Sequence, residues 1–254
     1  MLRLFRRDPT PLPDHLDVVH EGASYRVLLK RVLTARRFTL RVRNATRDVI
    51  ITLPKRGSLS AAQDFAQRHA AWIAARLHRL PQAVPFEHGS RFPFRGEELV
   101  IEHIDRLRGG VEVCAEEKLL RVSCSSEHLS RRVHDHLKSE ARKDLEAAVK
   151  AHCTTLGFAP RKVSLRDTTS RWGSCSASGS LNFSWRLIMA PPFVLDYLAA
   201  HEVAHLVHMD HSDKFWAVTK KLAPRTDHAE AWLYAHGSSL HRYGADDELR
   251  IKVK

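Results

Sequence analysis

The apolar positions of this chain change period several times, and each change marks an element. From residue 15 the period is two. In RFTLRVR (37–43), Phe38, Leu40 and Val42 fall on one face and Arg37, Thr39, Arg41 and Arg43 on the other, the pattern of a half-buried strand. DVIITLP (48–54) follows the turn-like RNATR, which predicts a hairpin. The period then lengthens, with Phe65, His69, Trp72, Ile73, Leu77 and Leu80 recurring at helical spacing within residues 58–80. Residues 81–96 are rich in Pro and Gly and read as loop. Short strands are expected at 97–104, 111–115 and 118–123. A long amphipathic helix follows from about Glu127 to Leu156, striped by Leu129, Val133, Leu137, Ala141, Leu145 and Ala148.

The last third alternates again. KVSLRD (162–167) reads as a strand and RWGSCSASGSLNFSWRL (171–187) as a hairpin turning at SASGS. Pro191 and Pro192 suit the first turn of a helix, expected to run to about His208. Ser212 is a good N-cap for a shorter helix ending before Pro224. Asp227 with Glu230 resembles a capping box for a last helix reaching about Leu240. No internal repeat is visible. The elements predict an α+β fold: a tail (1–14), a β-rich region with one helix (15–126), a second region (127–245) and a short C-terminal tail (246–254).

Composition narrows the function classes. No run approaches the ~20 apolar residues of a membrane span. The N-terminus has early arginines but meets Asp8 and three prolines where a signal peptide would be apolar. Cys114, Cys124, Cys153 and Cys175 show no CxxC spacing, which argues against a zinc ribbon or a disulfide framework and fits a cytoplasmic protein. The net charge is +12, and residues 1–56 hold thirteen Lys/Arg against five Asp/Glu. That excess allows an anionic partner and equally a solvated basic surface.

The densest chemistry is AAHEVAHLVHMDHSDKFW (199–216), with four histidines in eleven positions. His201 and His205, at i and i+4, lie on one helix face and can converge on one ion. Glu202 projects beside them, placed to take a proton from a metal-bound water attacking a carbonyl. Leu195, Leu198, Leu206 and Val207 flank the motif, so the site is buried, where bare polar groups are costly without a partner. Catalytic zinc usually takes three protein ligands. His208 lies about 10.5 Å along the helix axis from His201, and three donors in a line do not surround an ion. His211 lies past the helix end, where the chain can turn back, and is the expected third ligand. Glu230 and His236 are the downstream candidates.

RWGSCSASGSLNFSWRLIMAPP and LDYLAAHEVAHLVHMDHSDKFW, with weaker echoes in RRFTLRVR and FAQRHAAWI, resemble the YgjP-like metallopeptidase family, relatives of the SprT-like and WLM zincins. The likeness spans residues 35–240. It implies a zincin-like active-site helix packed on a small, mostly antiparallel sheet. It also implies Zn2+ on His201, His205 and His211, with Glu202 catalytic. The ribbon carried by many SprT-like proteins is absent.

Arg171, Gly173 and Ser174 are candidate substrate contacts, on a strand edge able to pair with a peptide. Trp172 and Trp185 are expected to pack the hairpin on the site helix, and Phe215 and Trp216 to be core. Arg171, His228 and Tyr234 are candidates for steadying an oxyanion. The leading function is a zinc-dependent peptidase. The alternative is a nucleic-acid-associated protein, or a protease acting on DNA-bound proteins as some SprT-like relatives do. Residues 26–47 carry eight Lys/Arg and no acid, and Arg37, Arg41 and Arg43 could track phosphates.

Overall fold

The computed structural model describes residues 13–43, 47–80, 82–106, 109–168, 170–244 and 251–253. The expected tails, 1–14 and 246–254, fall mostly outside these ranges. The chain divides into two units, residues 1–81 with 247–254, and residues 82–246.

In the first unit the alternation becomes β1 (His15–His20), β2 (Ala23–Arg31), β3 (Thr39–Val42) and β4 (Val49–Leu53). Their order is β1-β2-β4-β3, with β2 and β4 parallel and the outer pairs antiparallel. The first hairpin turns at Glu21–Gly22, with φ of 48° and 80°, the left-handed pair that matches strand twist in a two-residue turn. Val18, Tyr25, Val27, Val49, Ile51 and Leu53 are buried in one core with two helices, α1 (Leu59–Arg68) and α2 (Ala70–His78). One continuous helix was expected over 58–80. The chain instead breaks at His69 (φ −106°, ψ 10°), whose ring meets Phe65 edge-on at 4.5 Å. The break lets Ala62 and Ala66 on one half, and Ala70, Ile73 and Leu77 on the other, join the same core. Residues Ile251–Val253, within the expected tail, pair antiparallel with β2.

The second unit opens on the same plan. β5 (Arg91–Phe94), β6 (Glu97–Asp105), β7 (Val111–Cys114) and β8 (Leu119–Cys124) lie in the order β5-β6-β8-β7, again with a parallel central pair. The first hairpin turns at Arg95–Gly96, with φ of 49° and 83°. The topology therefore repeats although the sequence shows no repeat. β5 lies in the stretch read as loop. It is an edge strand carrying Pro93, a residue central strands exclude, so the composition disguised it. Phe92, Phe94, Ile101, Leu120 and Val122 share a core with α3 (Leu129–Leu156), through Val133, Leu137, Ala141 and Leu145. This sheet thus groups with the helix that follows it, where the sequence grouped it with residues 15–90. Arg95 ties its turn to α3, donating to Asp144 at 2.7 and 2.8 Å and to Glu140 at 2.9 Å.

A third sheet holds β9 (Lys162–Arg166), β10 (Gly173–Cys175) and β11 (Ser180–Ser184) in the order β10-β11-β9. β11 is antiparallel to β10, its hairpin partner, and parallel to β9. A 3-10 turn, Trp185–Met189, leads into α4 (Pro192–Ala204), α5 (Asp213–Leu222), α6 (Thr226–His236) and a last 3-10 turn, Gly237–Arg242. Buried Arg186 fastens this end of the chain. It donates to Asp167 at 2.8 and 3.2 Å and to the carbonyls of Leu240 (3.2 Å) and Tyr243 (2.8 Å). Trp185 packs 4.7 Å from His134 of α3, and Trp172 stacks on His241 at 5.0 Å. Both tryptophans pack in the core that α4 shares, with these ring contacts to α3 and the last turn in addition. The architecture is α+β. All four cysteines are free, and no helix among the described residues is long and apolar enough to cross a membrane.

His241 makes a pH test of this packing. It is buried, and desolvation, then the charge of Arg186, lower its pKa to about 4. The unfolded value is about 6.5. A depressed folded pKa gives stability that is full above the unfolded value and lost as pH falls from about 6.5 through about 4. His134 and His136 shift in the same direction, chiefly by burial. Denaturant unfolding at stepped pH should show wild-type stability dropping across this window. His241→Phe, which keeps an aromatic ring against Trp172, should drop less steeply. Parallel curves would remove His241 from the account.

Candidate functional site

α4 has Pro192 in its first turn and buries Val194, Leu195, Tyr197, Leu198, Ala199, Ala200, Val203 and Ala204. A helix this apolar is enclosed over most of its surface, so the polar groups buried at its end must be satisfied by neighbours. It was expected to reach about His208 but ends at Ala204. There Leu206 N–H donates to the Val203 carbonyl (3.0 Å) and Val207 N–H to that of Ala204 (3.1 Å), i to i+3 bonds that tighten the last turn. The His205 ring holds the tightened turn, Nδ1 donating to the His208 carbonyl at 3.0 Å. The chain then doubles back and delivers His211.

His201, His205 and His211 each turn a ring nitrogen inward, and these atoms all lie within 4.8 Å of one another. The Nε2 atoms of His201 and His211 are 3.3 Å apart. Phe215 from α5 is fully buried, its ring centroid 4.9, 4.4 and 4.8 Å from those of His201, His205 and His211. Trp216 borders His201 and His211 at 5.8 and 5.9 Å. Phe215 is core, as expected, and it is also the floor of the cluster. Burial, then the neighbouring His205 and His211, lower the pKa of His201 to about 4. Burial lowers His205 too, opposed by its bond to His208. Imidazoles converging at this spacing are the donor set of a divalent transition metal, so the residues fit the ion that the sequence implied.

Glu202 is 4 % exposed, and its Oε2 has no hydrogen-bond partner among the described residues. Burial pushes its pKa up to about 7, with the charge of Arg171 pulling the other way. Its carboxylate lies directly against Gly173, where a Cβ would come within 2.8 Å of Glu202 Cγ and Cδ. Gly173 is therefore a packing requirement of Glu202. The sequence placed Gly173 near the site without identifying this reason.

The remaining candidates separate. β10, carrying Gly173 and Ser174, is at the edge of its sheet and pairs with β11 alone among the described strands. Arg171 is exposed, and its charge reaches Glu202. His228 and Tyr234 are exposed on α6, and His236 packs on Trp232 at 5.2 Å, outside the cluster. The capping box at Asp227 and Glu230 is not formed. Asp227 pairs with Lys220 at 2.9 Å, and Glu230 accepts from Tyr197 Oη at 3.0 Å. Tyr197 escaped the sequence reading, although its place four residues before His201 puts it on the same helix face. Arg37, Arg41 and Arg43 are exposed on or beside edge strand β3 in the other unit, with Arg43 3.9 Å from Asp48.

Residues 36–236 match the family described as YgjP-like, metallopeptidase domain. Among solved structures, the crystal structure of the metallopeptidase zymogen of Pyrococcus abyssi abylysin is similar at 22% identity and a TM-score of 0.34, over 36% of this chain and 92% of that one. No curated protein matches.

The Glu202–Gly173 contact predicts a mutational outcome. Gly173→Ala should destabilise the protein by about 1–3 kcal/mol, because Glu202 is walled in and has little room to withdraw. Denaturant unfolding measures the change. Unaltered stability would mean that the carboxylate moves aside freely.

Proposed function

The chain belongs to the YgjP-like metallopeptidase family, and from that premise we propose that His201, His205 and His211 hold a zinc ion and that Glu202 is the general base of peptide hydrolysis. The observation that carries this reading is the convergence of three imidazole nitrogens within 4.8 Å, next to a buried carboxylate with an unpartnered oxygen. Bound zinc supplies a Lewis acid that lowers the pKa of a water ligand to about 7.

The protein's own residues do the rest. The bond from His205 Nδ1 to the His208 carbonyl keeps the proton on Nδ1 and leaves Nε2 bare to bind. Glu202, whose pKa of about 7 matches its task, accepts the proton of the attacking water and passes it to the leaving amine. Gly173 sets how closely the carboxylate approaches the β10 backbone. The outer edge of β10 takes the peptide as an added strand through the backbone of Gly173 and Ser174. Arg171, whose charge acts on Glu202, steadies the oxyanion.

The purified protein should hold about one zinc per chain, lost on strong chelation together with some thermal stability. His211→Ala should abolish zinc binding, whereas His208→Ala should keep it, since His208 contributes its backbone carbonyl. Elemental analysis of the two variants decides, and the reverse outcome would transfer the third ligand to His208.

Glu202→Gln should retain zinc and lose roughly 10²–10⁴-fold in turnover of unstructured peptide substrates. Turnover equal to wild type would exclude Glu202 as the base.

A further inference from the structure

We infer that Tyr197 and Glu230 form a positioning relay that fixes the proton and orientation of His201, an inference that rests on the metal reading above. Tyr197 Oη lies 3.3 Å from His201 Nδ1 and 3.0 Å from Glu230 Oε1. Proton inventory sets the direction of both bonds. An ionised carboxylate only accepts, so the single Tyr197 proton goes to Glu230. The phenol oxygen is then left to accept, and the proton it accepts is on His201 Nδ1. His201 Nε2 is consequently bare, and it is the atom that faces His211 Nε2 at 3.3 Å.

The phenol keeps its proton at neutral pH, as a tyrosine ordinarily does. Tyr197 is 4 % exposed and stands one helical turn before His201, the two rings meeting edge to face at 5.7 Å. Glu230 comes from α6, a different element, so its carboxylate reaches the site only when α6 is docked. His205 obtains the same tautomer from a backbone carbonyl. Two of the three imidazoles are thus set by different partners, one local and one across the fold. Glu230 falls outside the group whose donor atoms converge. Its role is to hold the ring through Tyr197.

Partners of this kind typically change metal affinity about 10- to 100-fold. Zinc affinity, measured by chelator competition on the full chain, is the readout, and melting of the metal-free protein controls for folding. Tyr197→Phe and Glu230→Ala should each weaken zinc binding by roughly that factor while the metal-free melting temperature of Glu230→Ala stays near wild type. Because the two act in series, the double variant should be no weaker than the worse single one. Glu230→Gln, whose amide oxygen still accepts from the phenol, should recover part of the loss. Wild-type affinity in either single variant, or losses that add in the double variant, would overturn the relay. An intact Tyr197→Phe beside a crippled Glu230→Ala would make Glu230 a direct ligand. A wild-type chain that takes up no zinc would overturn the metal reading itself.

Discussion

The enclosure of α4 is the constraint on which the site depends. Val194, Leu195, Leu198, Ala199, Ala200, Val203 and Ala204 are all buried around that helix, so little water is left to solvate the polar groups at its end. Burial lowers the pKa of His201 and His205 and raises that of Glu202, in each case because charge is costly away from water. The same enclosure forces every remaining polar atom to find a specific partner: the His208 carbonyl for His205, and Tyr197 for His201. Glu202 Oε2 is the exception. On the proposed reading, this orphan oxygen beside three convergent nitrogens is where chemistry is favoured over stability.

The two units use one strand plan to different ends. Each arranges two hairpins in the order 1-2-4-3 about a parallel central pair, with a left-handed residue and a glycine in the first turn. In the first unit the sheet is covered by α1 and α2. In the second, α3 covers the sheet and also shares its core with α4 and the third sheet. α3 is therefore the link between a generic β layer and the candidate site.

The candidate cluster was more legible in the sequence than its surroundings. His201, Glu202, His205 and His211 could be selected because their spacing on and just past one helix is itself the geometry. The strands of 97–124, the long helix and the SASGS hairpin followed from periodicity. β5 was hidden by Pro93, which only an edge strand tolerates. The early end of α4 was hidden because it depends on a side chain bonding to a carbonyl three residues on. Glu230 was read as a cap because local spacing suggested it, whereas its partner, Tyr197, lies 33 residues away. Gly173 was placed at the site without its reason, because a glycine in a strand does not disclose what presses against it. Contacts between elements are what a linear pattern omits.

The three imidazoles occupy only eleven residues of chain, 201–211. Closing so short a loop costs little chain entropy, and the cost grows only slowly with length. Gly173 and Glu230 stand 28 and 29 positions from His201 on either side, so they arrive through long-range, slower contacts. On the proposed reading, capturing the ion is a local event and completing the hydrolytic geometry a global one. A chain still being synthesised has all three ligands before it has Glu230. Full hydrolytic competence therefore waits for the fold to close, and a partly folded chain that already holds its ion remains a poor protease.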